Sequence, residues 1–331
     1  MITTIKDVAR LAGVSVATVS RVLNNSTLVS EQTRIVVEGA IEQLEYKPNF
    51  LGRNLRKSQT NVILVLIPTA EHEFYTKIIT GMQQTATLLG YELISSISDL
   101  SELELIKPLE MLYNRTVDAA VIFSTKLSKE AVDQLSRNYN IALCCEGVDG
   151  ADILTVTVDD RKASFDAVEH LLLKGKKRIG IVSSKLKVLS SDKRKQGYID
   201  ALEKYGIEYN EELVFEGDYT FNSGKEAFDY FASLDEMPDA IFAISDLIAT
   251  GIVHSAFENG IDIGKDLFVM GYDNILISEV YTPSISTVEQ PSYEMGRLVI
   301  EKLIHNINSE IKDNNYYTVP HKIIARLSTQ G

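Results

Sequence analysis

From residue 62 onward, short apolar runs alternate with amphipathic segments, and this alternation limits the fold more than any other feature of the chain. The apolar runs have the length of strands and lie at 62–67, 91–97, 119–123, 141–145, 156–158, 178–183, 240–244 and 267–270. Segments of helical period lie between most of them, as at 74–89, 164–173, 196–205 and 248–258. Repeated strand–helix–strand order favours parallel sheets with helices on both faces. About 270 residues follow residue 60, which is enough for two such lobes.

The first 48 residues show a different pattern, that of short helices. Their expected spans are 5–12, 16–24 and 31–44. Thr4, Ser15 and Ser30 precede these spans and predict their N-caps, because a hydroxyl there accepts from a free backbone N–H. Gly13 lies where a left-handed residue ends the first helix. Two helices joined by a glycine-containing turn within about 20 residues form a helix-turn-helix. The expected fold class is therefore α/β with an all-α helix-turn-helix head.

Charge is divided unevenly along the chain. The net charge is −13, which is unusual for a nucleic-acid-binding protein. Residues 1–60 nevertheless carry eight Lys and Arg against five Asp and Glu, so this segment is basic and the rest is strongly acidic. A basic head on an acidic body indicates that only the head meets phosphates.

The second helix of a helix-turn-helix enters the major groove, and its first turn faces the base edges. The corresponding residues here, with those of the next turn, are Ser15, Val16, Ala17, Thr18, Ser20 and Arg21. Arg21 suits a bidentate contact to guanine, and Val16 or Ala17 suits a thymine methyl. On spacing alone, three surface helices with ordinary caps explain this pattern equally well.

Residues 4–24 are similar, nearly residue for residue, to the head of the lactose/galactose repressor family, and the similarity continues through 29–34 and 44–49. The resemblance implies a sequence-specific DNA-binding transcription regulator, with repression as its expected action. It also implies that the segment after residue 48 forms a hinge helix on DNA and inserts Leu55 into the minor groove. Further DNA contacts are expected from Thr4, Asn24, Asn49, Arg53 and Arg56. Gly52 departs from the family, which usually has alanine there.

The resemblance covers the rest of the chain and implies a two-lobed body like that of the periplasmic binding proteins, with parallel sheets. A small-molecule effector is expected between the lobes. A homodimer would read a near-palindromic double-stranded DNA operator. The expected domains are the head, 1–48; the hinge and linker, 49–60; and the effector-binding and dimerisation core, 61–331. Within the core, lobe 1 is expected at about 61–159 and 289–319, and lobe 2 at about 160–288 and 320–331.

The effector-binding residues that the resemblance implies are Phe74, Tyr75, Glu146, Arg194, Tyr219, Asp246, Asp273 and Gln290. Carboxylates and an arginine form paired hydrogen bonds with vicinal hydroxyls, and aromatic rings stack on the apolar face of a sugar or on a base. From the residues alone, ordinary core packing also explains Phe74, Tyr75 and Tyr219. Capping of a helix explains Asp246 equally well.

Several stretches are most similar to the cytidine and purine repressors of the family, among them 63–68, 165–168, 217–221 and 290–296. Val188, however, stands where the purine repressor recognises its base with an arginine. A sugar or a nucleoside is therefore the expected effector, rather than a purine base.

Cysteine and histidine usage gives no sign of a metal or cofactor. The only cysteines, Cys144 and Cys145, are expected to be reduced and on opposite faces of a buried strand. No dinucleotide, phosphate-binding or nucleophile-elbow motif indicates an enzyme.

Without a membrane-spanning apolar run or a secretory signal, we expect a cytoplasmic protein. The alternative hypothesis is a cytoplasmic small-molecule binding protein without DNA function.

Overall fold

The computed structural model describes residues 3–23, 26–46, 59–69, 72–98, 102–123, 127–186 and 188–330. The chain divides into two compact units, Met1–Thr60 and Asn61–Gly331, which we call the head and the body. The described part of the head contains α1 (Ile5–Leu11), α2 (Val16–Leu23) and α3 (Glu31–Gln43). These spans confirm the predicted helices to within one residue at most ends.

Side-chain caps set where the head helices begin. The Ser15 Oγ accepts from the backbone N–H of Thr18 at 3.1 Å, and Ser30 caps α3 in the same way. Gly13 has a φ of +65° and ends the first helix, as predicted. A small core holds the helices together, and its buried members are Val8, Ala9, Val19, Val22, Val37, Ala40 and Tyr46.

One part of the apolar pattern in α3 does not face this core. Ile35 and Val36 belong to the pattern from which α3 was predicted, but they are 62% and 49% exposed. Val37 is buried instead. The run of three apolar residues does not show which of them faces inward, because a helical period places only one of three neighbours on a given stripe.

The body alternates strands and helices as its sequence predicts. Its elements in chain order are β1 (Val62–Ile67), α4 (Glu73–Leu88), β2 (Glu92–Ile97), α5 (Glu102–Tyr113), β3 (Ala119–Ile122), α6 (Lys129–Asn138), β4 (Asn140–Cys144), β5 (Leu154–Thr157), α7 (Asp160–Leu173), β6 (Ile179–Ser184), α8 (Leu189–Lys204), β7 (Val214–Gly217), α9 (Phe221–Ala232), β8 (Ala240–Ala243), α10 (Asp246–Glu258), β9 (Phe268–Asp273), α11 (Leu276–Val280), β10 (Ser286–Glu289), α12 (Ser292–Asn308), β11 (Tyr316–Thr318) and β12 (Lys322–Ile324). Short 3₁₀ turns lie at Glu211–Leu213 and Leu327–Thr329.

Two six-stranded sheets organise the body. The first has the strand order β11-β5-β4-β3-β1-β2, and the second has the order β12-β10-β9-β8-β6-β7. All pairs in the first sheet are parallel. In the second sheet the pairs are also parallel, as the sequence predicts, except that the edge strand β12 runs antiparallel to β10. The chain crosses between the sheets after β5, after β10 and after β11.

The strands absent from the sequence prediction are short. They are β7, β10, β11 and β12, each of three or four residues. A run of that length has no measurable period, and pairing with a longer neighbour in the sheet stabilises it instead. Among the described residues, no helix has the length and apolarity needed to cross a membrane.

Candidate functional site

A cavity of about 290 Å³ lies where the carboxyl ends of strands from both sheets meet. The first sheet and α4 contribute Pro68, Thr69, His72, Phe74, Tyr75, Phe123, Cys145 and Glu146. The second sheet and α8 contribute Leu186, Val188, Ser190, Arg194, Tyr219, Asp273 and Gln290. Parallel α/β sheets present their loops at the carboxyl ends of the strands, so this is where the topology favours a ligand.

The cavity brings together most of the residues expected to bind an effector. Those that line it are Phe74, Tyr75, Glu146, Arg194, Tyr219, Asp273 and Gln290. They are far apart in the sequence, and the two sheets place them around one volume. That volume is at the small end of ligand sites and suits a molecule the size of a monosaccharide or a nucleoside.

Asp246 is not part of this lining. Its carboxylate is fully buried and accepts from the Thr287 hydroxyl at 2.6 Å and from the Ile275 N–H at 2.9 Å. The prediction that Asp246 caps a helix is also wrong, because Ser245 is the N-cap of α10 and accepts from Ile248. Asp246 is the first residue of α10, and it joins that helix to β10 and to the segment after β9.

Arg194 projects from α8 and is held on three sides. Its Nε donates to Asp160 at 2.8 Å, and its Nη1 donates to the carbonyl of Ile244 at 2.8 Å. The guanidinium carbon lies 3.8 Å from the centre of the Tyr272 ring, and the Tyr272 hydroxyl donates to the same Asp160 oxygen. These contacts fix a planar group that carries further N–H donors at the cavity wall.

Asp273 ends β9 in a backbone conformation that few L-residues adopt. Its φ is +107°, and that of Asn274 is +53°. The value at Asp273 lies outside the usual left-handed region, so the surrounding structure must hold it. The Asp273 Oδ1 accepts from the Gln290 amide at 2.7 Å. Burial raises the pKa of Asp273, against the opposing influence of Arg194 and His72.

Glu146 follows β4 and reaches across the cavity to the second sheet's side. Its carboxylate accepts from both the hydroxyl and the backbone N–H of Ser190, at the start of α8. Burial raises the pKa of Glu146 to about 7, although the bonds from Ser190 favour the ionised form. Glu146 therefore titrates near neutral pH.

Aromatic rings form much of the rest of the lining. The Tyr75 ring lies 5.4 Å from that of Phe74 and 5.4 Å from that of Phe123, with the second pair edge to face. Burial raises the pKa of Tyr219 to about 12, and the negative charges of Glu146 and Asp273 add to this rise against the influence of Arg194. The rings thus combine apolar area with hydroxyl groups that stay neutral.

His72, Phe123, Cys145 and Ser190 line the cavity but were not among the predicted effector residues. His72 is the N-cap residue of α4, and its buried Nδ1 has no hydrogen-bond partner among the described residues. Their position in the sequence could have indicated that they line the cavity. Each of them follows a strand or begins a helix, and all but Phe123 lie close to a residue that is predicted to bind the effector.

Val188 lines the cavity immediately before α8. It presents an apolar side chain where a base-recognising arginine would supply donors. This placement fits the expectation that a purine base is not the effector.

The prediction for the cysteines is wrong in one respect. Cys144 is the last residue of β4, but Cys145 lies beyond the strand with a φ of +74°. This conformation breaks the alternation of side chains, and the two sulfur atoms lie 3.9 Å apart. Both thiols are free. The described residues contain no cluster of three or more His, Cys, Asp or Glu able to hold a metal ion.

The start of α2 presents small polar and apolar side chains outward. Ser15, Ala17 and Arg21 are exposed, whereas Val16, Thr18 and Ser20 are half-buried. Val16 also packs against the core of the head, so only part of its side chain is available to a thymine methyl. Thr4 is exposed at the start of α1.

The remaining predicted DNA contacts lie outside the described residues. They are Asn24, Asn49, Arg53, Leu55 and Arg56. The predicted hinge, with Gly52, falls there as well.

Two family models match the chain in succession. Residues 4–49 match the model for bacterial regulatory proteins of the lacI family. Residues 60–327 match the model for periplasmic binding proteins and the sugar-binding domain of the LacI family.

Curated relatives match over nearly the whole chain. Catabolite control protein A of Priestia megaterium is 35% identical over 329 residues, covering 99% of each chain. The repressor CytR of Escherichia coli strain K12 is 32% identical, covering 99% of this chain and 96% of its own. Catabolite control protein A thus has the higher overall identity, even though several local stretches resemble the cytidine repressor.

Solved structures agree with these matches. The lac repressor dimer bound to operator and the anti-inducer ONPF is 26% identical, with a TM-score of 0.91 and full coverage of both chains. The complex of the regulator CelR with cellobiose is 27% identical, with a TM-score of 0.72 and 98% of this chain covered. The chain therefore belongs to the LacI family and is a bacterial transcriptional regulator of that family.

Proposed function

We propose that this regulator is a repressor that binds a near-palindromic double-stranded DNA operator as a homodimer. The first turn of α2 reads each half-site from the major groove, with Arg21 and Ser15 among the contacting residues. The second helix of a helix-turn-helix takes this position because its width fits the groove. The related lac repressor is a dimer in its complex with operator, which supports this arrangement.

A small effector bound in the cavity controls the operator affinity. The observation that carries this proposal is the cavity itself, because it joins Glu146, Arg194 and Asp273 from both sheets around one volume. A ligand that contacts both sides has different contacts in open and closed arrangements of the lobes, and only such a difference shifts an equilibrium. The effector is a sugar or a nucleoside, which fits the volume and the mixture of rings and hydrogen-bonding groups.

Each of the three predicted domains has its own function in this proposal. Residues 1–48 form the DNA-binding head, 49–60 the hinge, and 61–331 the core that binds effector and dimerises. Leu55 of the hinge enters the minor groove at the operator centre when two subunits are bound. The protein acts in the cytoplasm, and it uses the cavity for binding rather than for catalysis.

One experiment tests both halves of this proposal. The full-length protein selects its operator from a randomised DNA pool, and a thermal-shift screen of sugars and nucleosides identifies ligands that stabilise it. We expect a palindromic selected sequence, and we expect a stabilising ligand to change the affinity for it. Arg21→Ala should relax the base preference in each half-site without changing the thermal shift.

The alternative is a cytoplasmic small-molecule binding protein without DNA function. It requires that the head no longer recognise a sequence. A selection that returns no enriched sequence, together with a normal thermal shift by a ligand, would establish this alternative.

A further inference from the structure

We infer that the effector carries a positively charged amino group, as an amino sugar does. This inference rests on the proposed effector-binding function and narrows its chemical class. The charged groups, hydrogen bonds and aromatic rings around the cavity of about 290 Å³ support it.

The positive charge of Arg194 is already balanced within the protein. Its Nε–Asp160 contact is 2.8 Å, and both side chains are less than a tenth exposed. The Tyr272 hydroxyl donates to the same Asp160 oxygen and holds the pair in place. The pair as a whole carries no net charge. Arg194 therefore adds N–H donors at the cavity, while its charge and that of Asp160 sum to zero.

Two other carboxylates at the cavity have no such cation beside them. Asp273 accepts from the neutral amide of Gln290, and Glu146 accepts from the neutral hydroxyl and N–H of Ser190. The cation that acts on Asp273 besides Arg194 is His72, when it is protonated. Even then, three carboxylates face two cations among the described residues of the site.

The two carboxylates line one shared volume, although their strands belong to different sheets. Asp273 ends β9 in the second sheet, and Glu146 follows β4 in the first. The negative charges of both raise the pKa values of Tyr75 and Tyr219, for which burial is the main cause. Both tyrosines therefore lie within electrostatic range of both carboxylates.

A buried carboxylate without a cation is costly, because it loses its water without gaining a partner of opposite charge. A ligand ammonium group beside either carboxylate would relieve that cost. The faces of the surrounding rings also favour a cation, since an aromatic ring carries negative potential on its face. A phosphate or carboxylate on the ligand would instead meet uncompensated negative charge.

The test compares each parent sugar with derivatives that carry a cationic, a neutral or an anionic group at one position. The probes are glucose, galactose and mannose, with their 2-amino, 2-acetamido and 6-phosphate derivatives, titrated calorimetrically into full-length protein near neutral pH. We expect at least one amino sugar to bind about tenfold or more tightly than its parent, which is roughly 1.4 kcal/mol. The acetamido and phosphate derivatives should bind more weakly than the amino sugar.

Asp273→Asn and Glu146→Gln test which groups produce this preference. Each replaces a carboxylate by an amide of the same shape, and we expect each to reduce the ratio between amino and parent sugar. Asp235→Asn and Glu208→Gln make the same chemical change at exposed positions outside the lining and should leave the ratio unchanged. Thermal unfolding confirms that each variant is folded.

Other outcomes separate this inference from the proposed function. A parent or phosphorylated sugar, or a nucleoside without an amino group on its sugar, that binds more tightly than every amino sugar would overturn the amino-group inference and leave effector binding intact. A preference for an amino sugar that persists in both cavity variants would also overturn it. If neither the sugars nor the nucleosides bind, both the inference and the proposed effector class fail.

Discussion

At the scale of single residues, the cavity contains ionisable groups whose surroundings set their charge. Glu146 and Asp273 both have their pKa raised by burial, but their partners differ. Arg194 favours the ionised form of both groups; Asp273 also lies within range of His72, and the hydrogen bonds of Glu146 come from Ser190. The folded state therefore opposes the ionisation of Glu146 up to about neutral pH.

Glu146→Gln should stabilise the body at alkaline pH and have little effect at acidic pH. The folded-state pKa of about 7 exceeds the ordinary value of 4.5, so the folded protein holds this proton more tightly than the unfolded chain. Stability is therefore lost as the pH rises from about 5 through 7. We expect a gain of about 2 kcal/mol above pH 7, allowing for partial exposure of the side chain. Thermal unfolding across this range measures it, and an equal gain at every pH would contradict the assignment.

Asp160→Asn should destabilise the body much more than the loss of a surface ion pair. Removing Asp160 leaves the buried Arg194 charge without its partner, which costs about 3–5 kcal/mol. Asp200→Asn breaks the ion pair with Arg161, whose side chain is 57% exposed, and should cost about 1 kcal/mol or less. Denaturant unfolding of both variants gives the comparison. Similar losses for the two variants would show that Asp160 and Arg194 are not coupled as described.

At the scale of elements, the position of α8 decides where Arg194 and Ser190 lie. This helix packs closely on α7, and Gly197 is the residue at their closest approach. A Cβ at Gly197 would overlap the carbonyl oxygen of Arg161. The missing side chain therefore allows α8 to lie near enough to α7 for Arg194 to reach Asp160.

Gly197→Ala should push α8 away from α7 and weaken ligand binding. Overpacking of this kind costs about 1–3 kcal/mol, and the shift would lengthen the contacts of Arg194. Gly39→Ala is the matched control, because Gly39 lies inside α3 with open space around it. There the change should stabilise the helix by about 0.5–1 kcal/mol. Unfolding and ligand titration check both variants, and a neutral effect at Gly197 would contradict the close packing.

Some of the helices and strands could be predicted from the sequence, and others could not. Long runs with a clear period, such as β1 and α4, were predicted within a residue or two. The start of α8 was missed, because residues 189–195 are mostly polar and have no apolar stripe. The antiparallel β12 was missed for a different reason, since three residues pair only because β10 is already in the sheet.

The site was predictable where a residue type has one obvious chemistry. Arg194 and Asp273 were placed at the cavity by resemblance, and their charge explains their role there. His72 and Cys145 were not, since a histidine before a helix and a cysteine after a strand have several ordinary explanations. Arg194 and Tyr219 follow them by about 50 to 150 residues in the sequence, and only the meeting of the two sheets shows that all four line one cavity.

At the scale of the whole molecule, the uneven charge separates DNA binding from ligand binding. The basic head is suited to phosphates, and the acidic body is repelled by them. We expect operator affinity to fall steeply with salt, with a log–log slope more negative than about −5 for a dimer that makes several phosphate contacts. Lys174→Ala, on the body surface, should leave that slope unchanged. Fluorescence anisotropy over a salt series measures it, and a flat response would exclude the proposed phosphate contacts.

The proposed regulation requires that ligand binding in the cavity change the affinity for the operator. The direct measurement is the anisotropy of the selected operator, titrated with full-length protein in the presence and absence of a saturating ligand found by thermal shift. We expect the ligand to change operator affinity by about tenfold or more, which is within the usual range of coupling energies. Asp273→Asn should remove this change while leaving the affinity without ligand intact. An operator affinity that stays the same with the cavity saturated would contradict the central claim.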